Sequence, residues 1–300
     1  MKTVVYKKAG GCAIHADVYP LESEPHPPVI VWIHGGALIG GNRRSMNRAL
    51  RQLFTQTGFA QVSIDYRLAP ETKLPEIIAD VHDAFDWVRG PGARSFGWNP
   101  RRVGVTGGSA GGYLTLMTGY CLKERPKALA AFYGYGDIGG PWYAEPDPFY
   151  LKQPLVTETK ARSVLSSVPL SEQPDKDTVD RFRFYLYCRQ QGTWPEEVSG
   201  FSTETQMDQI KAYCPAYNVD AKYPPTLLLH GTADTDVPYS QSVQMAEMLK
   251  AGNIKHELIT IEGGGHGFDG KARVEHLDDT ESTPALRSLY RTLAWMCQYV

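Results

Sequence analysis

Short unbroken apolar runs alternate along this chain with longer segments in which apolar residues recur every three or four positions. A run such as Val29–Ile33 is apolar at every position, which is typical of a strand buried on both faces of a parallel sheet. A segment such as 75–88, apolar at 77, 78, 81, 85 and 88, predicts an amphipathic helix. Because the two patterns follow one another through most of the chain, they predict an α/β fold with a mostly parallel central sheet flanked by helices.

Eight strands are predicted in this way, and the first two form an opening hairpin around Gly10 and Gly11. They cover 3–6, 13–19, 29–33, 59–64, 102–106, 128–133, 226–230 and 256–261. Helices are predicted over 47–57, 75–88, 240–251 and 284–299, and a further helix follows the glycine-rich turn at 107–112 through 113–121. The charged positions of the second helix (Asp80, His82, Asp83 and Asp86) are expected to face water.

The alternation stops between the sixth and seventh strands, over residues 137–223. This segment is rich in proline and aromatic residues, and it is far longer than an ordinary connection between a strand and a helix. We therefore predict an inserted cap after the sixth strand, within a single domain of residues 1–300. Its helices are expected near 157–166, 178–189 and 205–211. An aromatic-rich cap favours an apolar substrate pocket, although several of its rings are expected to form the core of the cap itself.

One serine is placed at a sharp turn between a strand and a helix. Residues 103–112 read VGVTGGSAGG, so Gly107, Ser109 and Gly111 fit the G-x-S-x-G pattern of a nucleophile elbow. Such a turn holds the serine in strained dihedral angles and lifts its hydroxyl clear of its neighbours. An ordinary Gly/Ser turn is the alternative, and the two features that follow favour the catalytic interpretation.

The third strand ends at His34-Gly35-Gly36-Ala37. Small residues let backbone N–H groups face open space, where the oxyanion of an acyl-transfer reaction can bind. We predict that Gly35 and Gly36 are donors and that the N–H of Ala110, which follows the serine, is the third. The alternative is a plain turn in which His34 is a packing residue.

A serine hydroxyl needs a base, and the base needs an orienting carboxylate. Asp234 lies just past the seventh predicted strand and His266 just past the eighth, which gives the order serine, acid, base of α/β-hydrolases. Asp236 is the rival acid on the same loop. We favour Asp234, because Asp236 adjoins Val237-Pro238 and has the position of a turn or helix-capping residue.

With these residues the chain resembles the α/β-hydrolase superfamily, and within it the hormone-sensitive-lipase-like and prolyl-oligopeptidase-like esterases. The motifs that carry the resemblance are His34-Gly35-Gly36, the stretch DYRLAPE at 65–71, GGSAGG at 107–112, HGTADTDVP at 230–238 and GHGF at 265–268. The stretch at 65–71 is a structural signature of the lipase-like esterases. Two departures are evident: Ala37 stands where these esterases usually have a third glycine, and the large insertion follows the sixth strand rather than preceding the first.

Composition limits the possible partners. The net charge of −2 and the lack of a basic run give no reason to expect nucleic acid as a partner, and no apolar run is long enough to cross a bilayer. The N-terminus lacks the apolar stretch of a secretory signal. Five scattered cysteines form no metal-binding spacing and indicate reduced thiols in a cytoplasmic protein, with one disulfide left open. By analogy with similar enzymes, a homodimer through the edge strand or the last helix also stays open.

These observations predict a serine carboxylesterase that acts on small-molecule esters of short to medium chain length and needs no metal or organic cofactor. We expect Trp142, Phe182, Tyr185 and Phe268 to bind the substrate. A small-peptide or amide hydrolase with the same triad is the first alternative. A binding protein on a hydrolase scaffold is the second.

Overall fold

An eight-stranded sheet forms the centre of the protein. The structure, a computed structural model, describes residues 1–21, 23–174, 179–277 and 283–300. The strands lie in the order β1-β2-β4-β3-β5-β6-β7-β8. Their bounds are Lys2–Ala9, Cys12–Tyr19, Val29–Ile33, Ala60–Ile64, Val103–Gly108, Ala128–Phe132, Thr226–Gly231 and His256–Ile261 for β1 to β8. Only the pairs β1–β2 and β2–β4 are antiparallel among these strands, which confirms the prediction of a mostly parallel sheet.

The central strands are buried at every position, as their unbroken apolar runs predict. This holds for all residues of β3, β4, β5, β6 and β7, whereas the edge strand β8 is mostly half-buried. Side chains of alternating direction feed two separate cores, one on each face of the sheet. The carboxyl ends of the parallel strands meet at one edge, and this edge carries the loops with the predicted site residues.

Helices cover both faces of the sheet. Leu50 of one helix and Leu289 of another pack on one face, and Ile77, Leu114 and Met245 pack on the other. The helices are α1 Arg48–Gln56, α2 Leu74–Trp87, α3 Ala93–Phe96, α4 Ala110–Cys121, α5 Pro141–Ala144, α6 Glu158–Arg162, α7 Phe182–Gln191, α8 Trp194–Ser199, α9 Met207–Lys211, α10 Ser240–Ala251 and α11 Pro284–Tyr299. A π-helical turn, Val88–Gly92, joins α2 to α3.

The expectation that the charged residues of α2 face water is wrong for Asp80. Its side chain is fully buried and accepts hydrogen bonds from Arg67 Nε at 2.8 Å and Nη2 at 2.9 Å, and Lys7 Nζ lies 2.6 Å away. Asp83 and Asp86 are exposed, as expected. Helical periodicity alone did not reveal that Asp80 forms buried ion pairs, because its cationic partners come from the loop after β4 and from β1.

The cap segment, residues 137–223, connects β6 to β7 and contains the five helices α5 to α9. The predicted helix 157–166 ends earlier, at Arg162, and the predicted helix 205–211 begins later, at Met207. The start of the predicted helix 178–189 lies outside the described residues at Thr178, and α7 begins at Phe182. Helices α5 and α8 were not predicted. Each has a proline in its first turn. Proline is common at the start of a helix, but in a sequence it also indicates a loop.

Two further features bear on the sequence predictions. None of the helices within the described ranges is long and apolar enough to cross a membrane. All five cysteines are free thiols: Cys188 and Cys214 are buried, and Cys297 is exposed.

Candidate active site

Ser109 lies at the sharp turn between β5 and α4. Its backbone has φ 57° and ψ −124°, a conformation that non-glycine residues rarely adopt. Its own N–H donates to the carbonyl of Phe132 at 2.9 Å, which fixes the turn against β6. At Gly111 a Cβ atom would lie 2.0 Å from the carbonyl oxygen of Ile33, so only glycine lets the helix pass this close to β3. The sequence therefore builds the strained turn that places the hydroxyl at the edge of the sheet.

The loop after β3 passes directly beside Ser109. A Cβ atom on Gly35 would meet the carbonyl oxygen of Gly108 at 2.7 Å and Ser109 Cβ at 3.1 Å. The backbone N–H groups of Gly35, Gly36 and Ala110 donate to no acceptor in the described part of the chain. Three unused donors thus lie in the segments that flank the serine, as an oxyanion site requires.

The next residue of this loop departs from the third glycine of the similar esterases. Ala37 has φ 55°, in the left-handed region that glycine adopts without strain. The cap segment holds it there, because Trp194 Nε1 donates to the carbonyl oxygen of Ala37 at 3.0 Å. Trp194 is fully buried. A contact from the cap segment therefore stabilises the alanine in this conformation.

Asp234 and His266 meet at the same edge of the sheet. His266 Nδ1 lies 2.8 Å from Asp234 Oδ2, and the other carboxylate oxygen of Asp234 accepts the backbone N–H groups of Asp236 and Val237, each at 2.9 Å. His230 Nε2 lies 3.3 Å from Asp234 Oδ2. Burial alone would raise the pKa of Asp234, but the hydrogen bonds to His230 and His266 hold that pKa well below its usual range. An ionised Asp234 favours the His266 tautomer that carries its proton on Nδ1.

The same surroundings raise the pKa of His266. Burial opposes the charged form, yet the hydrogen bond to Asp234 and the negative charges of Asp236, Asp234 and Asp269 together outweigh it. The protonated imidazole is stabilised, so the fraction able to act as a base falls as the pH falls through this raised pKa.

Three more residues surround His266: Asp236, which was predicted only as the rival acid, and Tyr133 and Asp269, which were not predicted as site residues. Asp236 Oδ2 lies 3.4 Å from His266 Nε2, the nitrogen that faces away from Asp234. The ring of Tyr133 lies 4.6 Å from the imidazole ring, and its hydroxyl donates to Asp269 Oδ1 at 2.5 Å. Tyr133 directly follows β6 and Asp269 follows His266 by three positions. Their place at the carboxyl ends of parallel strands is the signal that sequence reasoning did not use.

A cavity of about 360 Å³ contains Ser109 and His266. Gly35, Gly36 and Asp236 line it, and so do Phe182 and Tyr185 of α7. Trp142 and Phe268, which were also expected to bind the substrate, are not among the described residues that line this cavity. Trp142 stacks on Tyr143 at 3.8 Å, and Phe268 is buried against Phe132 and Tyr133. Trp142 therefore packs on other rings of the cap segment, the alternative left open for that segment, and Phe268 belongs to one of the two cores of the sheet.

The cavity shares lining residues with two larger spaces. Tyr133, Gly267 and Asp269 also line a cavity of about 590 Å³. Phe182, Tyr185 and Asp236 also line a cavity of about 780 Å³. The cavity of Ser109 therefore adjoins a larger space at each of these two groups of residues. Within the described ranges, no cluster of three or more histidine, cysteine or acidic side chains is arranged to hold a metal ion.

Comparisons with known proteins agree with this fold. A family model named BD-FAE matches residues 16–249. The non-reducing polyketide synthase Preu6 of Preussia isomera is 28% identical over 90% of this chain, which spans only 14% of that synthase. Esterase LipC of Mycobacterium tuberculosis is 26% identical over 81% of this chain and 53% of its own length. An α/β-hydrolase superfamily protein from Enterococcus faecalis superposes with a TM-score of 0.73, at 23% identity, over 95% of this chain and 96% of its own.

Proposed function

The chain belongs to the BD-FAE family, and from that premise we propose that it is a serine carboxylesterase, which hydrolyses short- to medium-chain carboxylic esters through an acyl-enzyme on Ser109. The observation that carries the proposal is the 2.8 Å bond between His266 and an ionised, buried Asp234, in the cavity where Ser109 occupies a strained turn. The relative named as an esterase supports an ester as the substrate.

In the acylation step, His266 Nε2 takes the proton of the Ser109 hydroxyl while Ser109 Oγ attacks the ester carbonyl carbon. The carbonyl oxygen becomes an oxyanion, which accepts hydrogen bonds from the free N–H groups of Gly35, Gly36 and Ala110. When the tetrahedral intermediate collapses, the bond to the alcohol oxygen breaks and His266 gives its proton to that oxygen. Asp234 keeps the imidazole in the correct tautomer and stabilises the imidazolium.

In the deacylation step a water molecule takes the place of the alcohol. His266 removes one proton from the water, the resulting hydroxide attacks the acyl carbon, and the same three N–H groups stabilise the second oxyanion. The bond to Ser109 Oγ then breaks, His266 returns the proton to it, and the carboxylic acid leaves. Every step uses side chains and backbone groups of this chain alone.

The first experiment is hydrolysis of a p-nitrophenyl ester series from acetate to palmitate, with the Ser109→Ala protein measured beside the unaltered one. We expect serine-dependent activity that is highest for short and medium chains. Turnover retained by Ser109→Ala would remove the assignment of the nucleophile. If neither protein hydrolyses esters, small amide and peptide substrates come next, since the same triad can act on them.

The second experiment compares two neighbouring acids. Asp234→Asn is expected to lower kcat far more than Asp236→Asn, because only Asp234 contacts Nδ1 and sets the tautomer. The reverse order would transfer the role of the acid to Asp236. Labelling of Ser109 by a fluorophosphonate checks activation without a substrate, because a protein that only binds ligands on this scaffold would leave the serine unlabelled.

A further inference from the structure

Asp236 is held in place by three donors from the cap segment. Its Oδ1 atom accepts hydrogen bonds from the hydroxyl of Tyr185 at 2.5 Å, the hydroxyl of Tyr150 at 2.7 Å and Arg189 Nη1 at 3.1 Å. Arg189 also donates to the backbone oxygen of Asp236 at 2.9 Å. One carboxylate oxygen is therefore fully used, and the direction of the carboxylate is set by α7 and by the 3₁₀ turn Tyr150–Lys152.

The other oxygen of Asp236 faces the imidazole. Asp236 Oδ2 lies 3.4 Å from His266 Nε2, while Asp234 Oδ2 lies 2.8 Å from Nδ1. The imidazole is thus between two carboxylates of the same loop. In the described part of the chain, the Ser109 hydroxyl makes no hydrogen bond to His266. In the proposed mechanism His266 Nε2 must take the proton of Ser109. Without substrate, this nitrogen lies beside the Asp236 carboxylate instead.

We propose that Asp236 is a positioning residue that binds Nε2 of His266 in the free enzyme and connects the cap segment to the catalytic base. This inference rests on the proposed function, because it gives His266 the role of the base. A protonated His266 donates from both nitrogens, to Asp234 and to Asp236, and Ser109 is then not activated. Loss of the Nε2 proton frees this nitrogen to accept the hydrogen bond of the Ser109 hydroxyl.

Asp236 pairs with a buried cation. The Arg189 side chain is fully buried between the carboxylates of Asp147 and Asp236, and its guanidinium carbon lies 4.8 Å from the ring centres of Tyr143 and Tyr150. A buried guanidinium needs anionic partners, and these two carboxylates supply them. Asp236 therefore has two functions in this geometry: it partly neutralises Arg189 and presents its remaining oxygen to His266.

Several other groups face His266 and set its protonation together with Asp236. Asp234 lies on the same loop as Asp236, and Asp269 follows the loop that carries His266. Tyr133, after β6, packs against the imidazole ring and donates its hydroxyl to Asp269. Within the described residues, Asp236 is the carboxylate whose oxygen lies within 4 Å of Nε2. A substitution of Asp236 therefore tests the contact at Nε2 separately from the contact of Asp234 at Nδ1.

The test is an NMR titration of the His266 ring nitrogens in Ser109→Ala protein, with and without Asp236→Asn. Removing a negative charge at this distance is expected to lower the pKa of His266 by about one unit. In proteins that retain Ser109, Asp236→Asn should shift the acid limb of the pH profile of kcat/KM to lower pH by the same amount. At low pH the kcat/KM of this variant should therefore be up to about tenfold higher than that of the unaltered protein. An unchanged titration would overturn the proposal.

Asp147→Asn is the matched control. It also removes a carboxylate from Arg189, but Asp147 contacts Nη2 of the guanidinium, whereas Asp236 contacts Nη1 and also lies beside His266. We expect it to leave the pKa of His266 unchanged. If Asp147→Asn shifts the titration as much as Asp236→Asn does, Asp236 acts only through the structure of the cap segment, and the proposal fails.

The ring N–H protons of His266 give one further readout. Should Asp236→Asn not fold, the Ser109→Ala protein alone decides, because its acid form should show slowly exchanging protons on both ring nitrogens, and a protected proton on Nδ1 alone would contradict the proposal. The titration uses no substrate. Failure of the proposed esterase activity would therefore appear in the assays with Ser109, separately from failure of this inference.

Discussion

The contact between Gly35 and Ser109 shows how closely two loops must approach for the chemistry. An added methyl group at Gly35 would press on the carbonyl oxygen of Gly108 and on the Cβ atom of the serine itself. Neither atom belongs to a flexible side-chain end, so the loop after β3 would have to move away from the serine. The N–H groups of Gly35 and Gly36 would move with it.

Gly35→Ala is therefore expected to lower kcat by about a hundredfold or more, the usual effect of losing one oxyanion donor. The measurement is kcat on p-nitrophenyl butyrate, with circular dichroism to verify the fold. Gly90→Ala is the control, because the nearest atom to an added Cβ there is the end of the Arg94 side chain at 3.9 Å. Equal activities of the two variants would argue against an oxyanion role for this loop.

At the level of single residues, the sequence predicted the proposed serine, acid and base but not the full environment of the proposed base. Ser109, Asp234 and His266 each lie in the turn or loop after a strand, within a recognisable motif, so local pattern and chain order were enough to select them. The contact of Asp236 with His266 depends on Tyr150, Tyr185 and Arg189. These residues lie far away in the sequence, in a segment without regular periodicity, and no local pattern encodes such a contact.

Among the elements, helix α7 connects the cap segment most firmly to the rest of the protein. Arg181, directly before α7, is fully buried and donates to the carbonyl oxygens of Ile39 and Ala69, each at 2.7 Å. It also binds both carboxylate oxygens of Glu71 at 2.7 Å. Ile39 follows Gly35 and Gly36 in the loop after β3, so the Arg181 side chain links the start of α7 to the loop beside Ser109.

Arg181→Met is expected to reduce the free energy of unfolding by about 3–5 kcal/mol, because it leaves Glu71 buried without its cation. Urea unfolding measures the loss. The double variant Arg181→Met, Glu71→Gln should recover part of it, since no unpaired charge remains. Arg183→Met, at an exposed position two residues further on, is the control and should stay within about 0.5 kcal/mol of the unaltered protein. A similar loss in both single variants would show that the buried pair has no special weight.

The strands were predicted more accurately than the helices of the cap segment, and the reason is physical. A strand such as β3 is surrounded by other strands and helices on all sides, so its sequence is apolar throughout and easily recognised. The cap helices are short, and they pack through rings and buried arginines rather than through an apolar stripe. Helix α8, for example, has Trp194 and Val198 buried but spans only six residues, too few for periodicity to stand out.

On the scale of the whole molecule, the cleft combines the sheet edge with the cap segment. Loops of the sheet provide Ser109 and His266, and α7 provides Phe182 and Tyr185 on the opposite side. Phe182 lies where the central cavity meets the space of about 780 Å³, and it lines both. Its ring therefore forms part of the boundary between the cavity of Ser109 and the larger space.

Phe182→Ala is expected to shift the preferred acyl chain of the p-nitrophenyl ester series towards longer chains. Without the ring the central cavity opens further into the larger space, and each methylene that becomes buried there contributes about 0.8 kcal/mol, roughly fourfold in kcat/KM. Phe149→Ala is a matched control: Phe149 is 42% exposed and Phe182 43%, but Phe149 lines neither cavity. If Phe182→Ala instead alters the preference among alcohols at a constant acyl group, the space beyond the ring receives the leaving alcohol. If neither preference changes, the cleft beyond Phe182 takes no part in substrate binding, and the acyl group must be sought on the side of Tyr133 and Asp269.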